Sequence, residues 1–368
     1  MSNCVLCHNE LKQGQFKSEI AITSDHKILR QNLTTEYCNY CGIISIKSKD
    51  EFNDRRFYEK YYDIGYNELF EPTIIKNDEI VSHYKYLVDF SSSHIAVGFN
   101  KKMIDIGRGK GGFLRAFRDK YPIYELFGIE PALNQDDELL EPSNTYIGFL
   151  EESPYLKDKF DFISLINVLE HIENPVVFLN YISKMMHSDS VLLIEVPNFK
   201  NNKADILNMD HRIKYIKESI SNLFKVIGFK IVKEEVPDNA VAMRFLLKKC
   251  DSEPIKNIDP TIHVLASIKY IERIKAQTKF IKPNEKMFVY GFGSIYLYLN
   301  FLKLIKEENI VAFVNDNPAY WNKEFQGRPI ISHENMAKYD SNVVLLAMNE
   351  CYHSRVIPKI KGYKIIGC

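Results

Sequence analysis

The stretch that decides the fold is MIDIGRGKGGFLRAF, residues 103–117. A short apolar run ends at Asp105, and the sequence after it has the spacing of a helix. Three glycines stand between the two at alternate positions: Gly107, Gly109 and Gly111. Glycine lets the backbone turn sharply and lets a ligand approach the main chain without meeting a side chain. The order strand, glycine turn, helix therefore predicts the opening unit of a parallel sheet.

Short apolar runs and helical stretches alternate on the carboxyl side of this turn. The strand candidates are ELFGIE at 125–130, FDFISLI at 160–166 and VLLIEVP at 191–197. The helix candidates between them are GGFLRAFRDK at 111–120 and PVVFLNYISKMM at 175–186. Alternation of this kind predicts an α/β, Rossmann-like core with a parallel sheet covered by helices on both faces.

A second acidic residue, Glu130, ends the next strand candidate 25 residues after Asp105. Dinucleotide-binding turns favour G-x-G-x-x-G, whereas here the acid precedes glycines spaced G-x-G-x-G. Asp105 can accept hydrogen bonds from an ammonium group, and a carboxylate at Glu130 can hold both hydroxyls of a ribose. The pattern predicts a site for a ligand with adenosine and methionine parts. The alternative is a tight turn in an unrelated doubly wound domain.

On these motifs the chain resembles the class I S-adenosylmethionine-dependent methyltransferases. FDFISLINVLEHIENP is similar to that family's fourth strand, with Asn167 at its end and Leu169-Glu170-His171 after it. GFKIVKEEV and AMRFLLKK are similar to the hairpin that closes the family's seven-stranded sheet. The resemblance implies S-adenosylmethionine as cofactor and adds Asn167 to the cofactor-binding residues.

Four of the seven cysteines lie in two C-x-x-C pairs within the first 41 residues: Cys4, Cys7, Cys38 and Cys41. Two such turns can complete a tetrahedral four-sulfur zinc site, and a closed site of this kind is structural. Three alternatives are a c-type haem attachment, since His8 follows Cys7, a redox pair, and chance clustering. The absence of a signal peptide predicts a reducing, cytoplasmic setting, which favours zinc.

A narrower resemblance covers the whole chain. A zinc segment, a methyltransferase core and a second Rossmann-like unit form the architecture of sugar C-methyltransferases that act on nucleotide-linked deoxy-keto-sugars. The motifs that carry it are CNYCGIISI at 38–46, VYGFGSIYLYL at 289–299 and AFVNDNPAYWNKEFQGRPIISHENM at 312–336. The expected domains are a zinc-binding segment at 1–50, a methyltransferase domain at 51–250 and a smaller Rossmann-like domain at 261–368, after a linker at 251–260.

In that family a His-Leu-x-Tyr-like element supplies acid–base groups to the substrate. The corresponding stretch here, MDHRIKYI at 209–216, makes His211 and Tyr215 the catalytic candidates, although they are four residues apart and Asp210 replaces a glutamate. Carbon methylation needs a base for the proton beside the ketone and a donor for the enolate. Two simpler interpretations stay open: a histidine at the start of a helix, and a tyrosine that only packs.

Other features receive weaker interpretations. Tyr61 and Tyr62 could close over the methionine tail. A second glycine turn, Gly291-Phe292-Gly293, lacks the third glycine of a dinucleotide site, although Asp316 stands where a ribose would be held. A structural or substrate-shaping role is therefore favoured over binding of NAD.

The amino-acid composition limits the classes of partner that the protein is expected to bind. The 48 basic and 48 acidic side chains cancel, which argues against a nucleic-acid binder, and no apolar run is long enough to span a membrane. A small-molecule substrate, a sugar nucleotide, is expected; the oligomeric state is open. Two further hypotheses are methylation of oxygen or nitrogen on a glycan precursor, and a zinc-stapled scaffold without catalysis, because Arg108 and Lys110 could crowd the cofactor.

Overall fold

The computed structural model of the protein describes most of the chain. The described residues are 2–48, 54–63, 72–76, 79–132 and 144–367. The expected boundary between residues 50 and 51 falls outside these ranges, as does the final residue of the last strand candidate. Among the described residues, no helix combines the length and apolarity needed to cross a membrane.

The amino-terminal residues form short antiparallel strands. They are β1 (Lys12–Ser18), β2 (Ala21–Ile22), β3 (Ile28–Leu29), β4 (Leu33–Tyr37) and β5 (Ile44–Ser48). The hairpin of β2 and β3 fills the interval between the two cysteine pairs. Helix α1 (Asp54–Lys60), the hairpin of β6 (Thr73–Lys76) and β7 (Glu79–Ser82), and helix α2 (His83–Ser91) follow. α2 begins at His83 because the Ser82 side chain caps it, accepting a hydrogen bond from the Lys85 N–H.

The central sheet has seven strands. In chain order they are β8 (Lys102–Ile106), β9 (Glu125–Glu130), β10 (Thr145–Ile147), β11 (Phe160–Ile166), β12 (Met186–Pro197), β14 (Phe229–Glu235) and β15 (Ala242–Lys249), with the short strand β13 (Ile213–Lys214) outside the sheet. Their spatial order is β10-β9-β8-β11-β12-β15-β14, parallel except for β15, which runs antiparallel to both neighbours. The carboxyl ends of β8, β9 and β11 therefore meet at one edge of the sheet.

Helices cover both faces of this sheet, namely α3 (Gly112–Lys120), α4 (Pro175–Met185) and α5 (Lys217–Ile227), together with α2. Neighbouring residues of a strand point to opposite faces. Met103 packs into a cluster with Phe117 of α3, while Ile104 packs into a second cluster with Leu179 of α4. The predicted α/β, Rossmann-like arrangement of the core is confirmed.

A six-stranded sheet follows helix α6 (Thr261–Gln277). Its strands are β16 (Met287–Tyr290), β17 (Ile310–Val314), β18 (Glu324–Phe325), β19 (Arg328–Ile331), β20 (Val343–Leu346) and β21 (Lys364–Ile366), with helices α7 (Ser294–Phe301) and α8 (His353–Val356). The sequence predicts one helix over 294–308. The structure ends it at Phe301, because Lys303 adopts a left-handed conformation with φ of 56°.

Short 3₁₀ helices connect these elements. They are Ser92–His94, Leu150–Glu152, Pro154–Lys157, Leu169–His171, Lys203–Leu207, Thr278–Phe280, Glu307–Asn309, Pro318–Tyr320, His333–Lys338, Glu350–Tyr352 and Ile357–Ile360.

In the described residues, strand pairing and apolar packing both connect the sheets. β13 pairs antiparallel with β5, so the segment after His211 extends the amino-terminal sheet. A buried cluster, which we call the shared core, contains residues from the amino-terminal strands, the 203–209 segment, α6 and the carboxy-terminal sheet; examples are Phe16, Ile206, Tyr270 and Phe313.

Candidate active site

A cavity of about 750 Å³ opens at the carboxyl ends of β8, β9 and β11. Its wall includes five of the six residues that the sequence predicts for the cofactor: Asp105, Gly107, Gly109, Glu130 and Asn167. Gly111 lies instead at the start of α3, with φ of 77°. The volume is within the range of small-molecule sites, which lie at this edge of an α/β sheet.

Hydrogen bonds hold the two acids in place, and one of these bonds comes from the glycine turn. Asp105 is buried, and its Oδ1 accepts a hydrogen bond of 2.6 Å from the Ser164 hydroxyl. Glu130 Oε2 accepts from the Gly109 N–H at 3.0 Å, and its Oε1 accepts from the Ala132 N–H at 3.0 Å. A carboxylate has about four acceptor positions and can accept from both hydroxyls of a diol. These residues fit a ligand with a ribose and an ammonium group.

Glycine is required at position 107. Its φ is 73°, and a Cβ placed there would lie 2.4 Å from Cγ2 of Val168. Both observations exclude an ordinary side chain, which confirms the sequence argument that this turn needs bare backbone.

Asn167 turns the chain at the end of β11. Its φ of 52° lies in the left-handed region, which asparagine tolerates better than most residues. Its backbone N–H donates to the Glu195 carbonyl at 2.9 Å. Glu195 itself is buried, with its carboxylate 2.8 Å from His83 Nε2 and 2.5 Å from Arg244 Nε.

Three titratable side chains that follow β11 or precede β13 form the other end of the cavity wall, which we call the acceptor end: Glu170, His171 and His211. The rings of His171 and His211 lie edge to face, with centroids 4.8 Å apart. His211 Nδ1 lies 2.5 Å from Asp205 Oδ1, and Lys214 Nζ lies 3.2 Å from Asp205 Oδ2.

Burial and charge shift these groups in different directions. Burial raises the pKa of Glu170 to about 8, although nearby His211 acts against it. Burial lowers the pKa of His171 to about 4. For His211, burial opposes protonation, but the Asp205 carboxylate outweighs it and raises the pKa above the usual 6.5. The acceptor end thus combines a buried carboxyl group with two imidazoles whose pKa values are shifted in opposite directions.

The two catalytic candidates from the sequence differ in position. His211 lines the cavity, whereas Tyr215 is fully buried and is not part of the described wall. The alternative interpretation of His211 as a histidine at the start of a helix is wrong: residues 213–214 form β13, and α5 begins at Lys217. Burial raises the pKa of Tyr215 far above 10, with Glu170 as a second cause, so the phenol stays protonated behind the wall.

Tyrosines form the outer part of the cavity wall. Tyr58, Tyr62 and Tyr84 line it, while Tyr61 is 52% exposed and lies outside it. The Tyr58 hydroxyl is 2.7 Å from His171 Nδ1. Sequence reasoning missed Tyr58 and also Asp205, which orients His211. The tyrosine-rich composition of this region was the only available signal for Tyr58, and there was none for Asp205.

The four amino-terminal cysteines lie together. Their sulfurs are all within 4.8 Å of one another, with Cys4 and Cys41 separated by 3.4 Å, and Cys7 and Cys38 also by 3.4 Å. Tetrahedral zinc with Zn–S bonds of about 2.3 Å places sulfurs about 3.8 Å apart. The geometry fits a four-sulfur metal ion after small adjustments.

The second glycine turn has a different environment from the first. Asp316 follows β17 and accepts a hydrogen bond from the Tyr290 hydroxyl at 2.5 Å. Lys359 Nζ lies 3.0 Å from its Oδ2, and Arg355 lies 3.7 Å away. The carboxylate that would hold a ribose is thus occupied by protein groups, which supports the expectation of a structural role over NAD binding.

Comparison with known proteins agrees with this geometry. Residues 87–234 match the family model described as a methyltransferase domain. (S)-tetrahydroprotoberberine N-methyltransferase from Eschscholzia californica is 27% identical over 117 residues, which is 29% of this chain and 33% of the plant protein. An uncharacterized protein of Methanocaldococcus jannaschii is 31% identical over 137 residues, 36% of this chain and 58% of that protein.

Among solved structures, the plantazolicin methyltransferase BpumL in complex with SAH is similar with a TM-score of 0.37 and 15% identity, over 45% of this chain and 82% of that chain. The chain spans about a third of the length of the E. californica relative. Residues 87–234 thus match a methyltransferase domain, and the strand order of the central sheet agrees with the class I S-adenosylmethionine-dependent fold expected from the sequence.

Proposed function

We propose that the protein transfers the methyl group of S-adenosylmethionine to a small molecule. The observation that carries the proposal is the pair of acids, Asp105 and Glu130, at adjacent strand ends on one cavity with the glycine turn between them. Asp105 would hold the ammonium group of the cofactor, and Glu130 the ribose hydroxyls. When bound, the cofactor supplies an electrophilic methyl group on a sulfonium sulfur.

Binding of the cofactor tests this proposal directly. We expect calorimetry to show one S-adenosylmethionine site per chain, and Glu130→Gln to weaken it about tenfold or more, since one charge-assisted contact is worth roughly 1.5–3 kcal/mol. Glu125→Gln is the matched control, because Glu125 begins the strand that Glu130 ends and is exposed. Absence of binding to the unaltered protein would instead favour the zinc-stapled scaffold.

For the acceptor we propose a nucleotide-linked deoxy-keto-sugar methylated on carbon. The proton beside its ketone must leave before the carbon can attack, and we assign His211, held by Asp205, to assist that loss. Tyr215 is assigned a positioning role behind Glu170. The three-part organisation of the sequence supports this substrate class.

Methylation of nitrogen or oxygen is the second candidate. The relative from E. californica is an N-methyltransferase by name, which favours it. Incubation with labelled cofactor and a panel of keto-sugar nucleotides, hydroxylated compounds and amines separates the candidates, since NMR locates the new methyl group. Transfer to an amine or hydroxyl alone would overturn the sugar proposal.

For the amino-terminal cysteines we propose a structural zinc ion. The clustering of the four sulfurs and the absence of an open ligand position in a four-sulfur set support it. Such an ion would stabilise a segment whose strands are mostly short. Metal analysis of the purified protein should give about one zinc per chain, and Cys38→Ser should remove it.

A further inference from the structure

The acceptor end is a second place where ligand atoms converge. Glu170, His171 and His211 each offer one ligand atom, and these atoms lie within 4.8 Å of one another. We infer that these three side chains bind a divalent first-row transition metal ion. The use of that ion in methyl transfer rests on the proposed function, whereas its binding does not.

Hydrogen bonding fixes which nitrogen of each imidazole is available. His171 Nδ1 is 2.9 Å from the Asp210 carbonyl, which can only accept, and 2.7 Å from the Tyr58 hydroxyl. In the tautomer in which Nδ1 donates to the carbonyl, Nε2 carries the lone pair. His211 Nδ1 is likewise directed at the Asp205 carboxylate. In the described residues neither Nε2 makes a hydrogen bond. Metal-binding histidines are usually held in this way, by a carbonyl or carboxylate on the other nitrogen.

The third ligand is the carboxyl group of Glu170, which makes no hydrogen bond in the described part of the chain. Glu170 is 1% exposed, and in the described part of the chain neither of its oxygens has a hydrogen-bond partner. A buried carboxylate is costly unless it is paired or binds a metal ion. Lys214 is the nearby buried cation, and it contacts Asp205. A divalent ion would displace the proton of the Glu170 carboxyl group and pair with the negative charge that remains.

The distances require little movement. Nitrogen and carboxylate ligands lie about 2.0–2.2 Å from a metal ion such as zinc, so opposite ligands are up to about 4.3 Å apart. The ligand atoms here are no more than 4.8 Å apart, so side-chain adjustments of less than about 1 Å would bring them into range. Because all three residues line the cavity, the remaining coordination positions face the acceptor.

An open site of this kind suits an acceptor that presents an oxygen atom, either a hydroxyl or the carbonyl of a ketone. An ion on that oxygen stabilises the negative charge left when a proton departs. The O–H bond, or the C–H bond beside the carbonyl, then breaks, its electrons stay with the acceptor, and the proton passes to water. When the metal ion is bound, Nε2 of His211 holds the ion and does not accept the proton. His211 then assists proton loss by way of the ion.

Manganese tests this site without occupying the cysteine site, because Mn²⁺ prefers nitrogen and oxygen ligands to thiolates. We would titrate the full chain with Mn²⁺ and follow the loss of the free-ion signal by electron paramagnetic resonance. We expect one bound Mn²⁺ per chain. Glu170→Gln and His171→Gln should each weaken it at least about 100-fold, since even outer partners of a ligand are worth 10–100-fold.

Two controls accompany the titration. His187→Gln changes a histidine on the exposed part of β12 and should bind Mn²⁺ as the unaltered protein does, and so should Cys38→Ser. Each variant is first checked for an unchanged circular dichroism spectrum, which reports folding independently of the cofactor. Absence of bound Mn²⁺, or undiminished binding by both ligand variants, overturns the metal inference and leaves the proposed function intact. Mn²⁺ binding without transfer to any acceptor supports the inference while overturning the proposed function.

Discussion

At the scale of single residues, the structure separates groups that bind from groups that support. Glu130 offers a carboxylate to the cavity while two backbone N–H groups hold it in place. Glu195, on β12 of the same sheet, is enclosed by His83 and Arg244. Two buried carboxylates in one domain thus have different roles, and their partners distinguish them.

The clash at Gly107 leads to a stability and binding prediction. Gly107→Ala should lower the free energy of unfolding by about 1–3 kcal/mol and weaken cofactor binding at least tenfold, because it adds strain and a contact with Val168. Gly327→Ala is the control: its φ is 69°, yet nothing lies within 4 Å of its added Cβ. Denaturant unfolding and calorimetry measure both. Equal effects of the two substitutions would contradict the role of close packing.

A pH prediction follows from Glu195. Burial acts to raise its pKa, but His83 and Arg244 outweigh burial and lower it below the usual 4.5. Its contribution to stability is therefore complete above pH 4.5 and is lost as the pH falls through the lowered value. Glu195→Gln should lower the free energy of unfolding by about 3–5 kcal/mol at neutral pH.

Unfolding curves between pH 3 and 7 would measure this effect. The difference between Glu195→Gln and the unaltered protein should shrink towards the acidic end of that range. Glu234→Gln, on an exposed ion pair of β14, should change stability by less than about 1 kcal/mol throughout. A difference that grew on acidification would contradict the assignment.

At the scale of elements, the sequence predicted features that follow from local patterns better than features that depend on long-range contacts. Asp105 and Glu130 were predictable because each ends an apolar strand, and parallel strands bring their carboxyl ends together. The acceptor end was visible only in part: His211 was found by resemblance, whereas its partner Asp205 lies in a 3₁₀ helix with no sequence signature. The strand β13 was mistaken for a helix start, since two residues are too few to show periodicity.

A prediction about thermal stability concerns the cysteine pairs. If a metal ion holds the amino-terminal strands, Cys38→Ser should lower the midpoint of thermal unfolding by several degrees while changing cofactor affinity less than about threefold, because a structural ion contributes folding energy. The cofactor residues lie on a different sheet. Differential scanning calorimetry and titration with S-adenosylhomocysteine would measure the two effects. An unchanged midpoint would contradict a structural ion.

At the scale of the whole molecule, the carboxy-terminal sheet supports the segment that carries His211. Ile206, Leu207 and Met209 belong to the shared core with residues of β16 and β17. Lys203 pairs with Glu350 across the same boundary, and Arg273 of α6 pairs with that carboxylate from the carboxy-terminal side. The supporting contacts are therefore mainly apolar with a polar rim.

Removal of residues 251–368 should accordingly expose the apolar side of the 203–209 segment. We expect hydrogen exchange of backbone amides at 203–216 to rise at least tenfold in the shortened chain, or the chain to aggregate. Glu350→Gln, which removes only the half-exposed ion pairs, should leave exchange within about threefold of the full chain. Protection that survives the truncation would show that the segment is held by the methyltransferase domain alone.

The shared core also sets an order of events during synthesis. Phe16, Ile22 and Ile44 are residues of the shared core that the ribosome synthesises early. Phe313 and Ile366, which belong to the same core, are synthesised near the end of the chain. At roughly 5–20 residues per second, these apolar side chains wait on the order of tens of seconds for their partners. The nascent chain is thus exposed to aggregation until translation is nearly finished, and chaperones that shield its first residues should raise the yield of native protein.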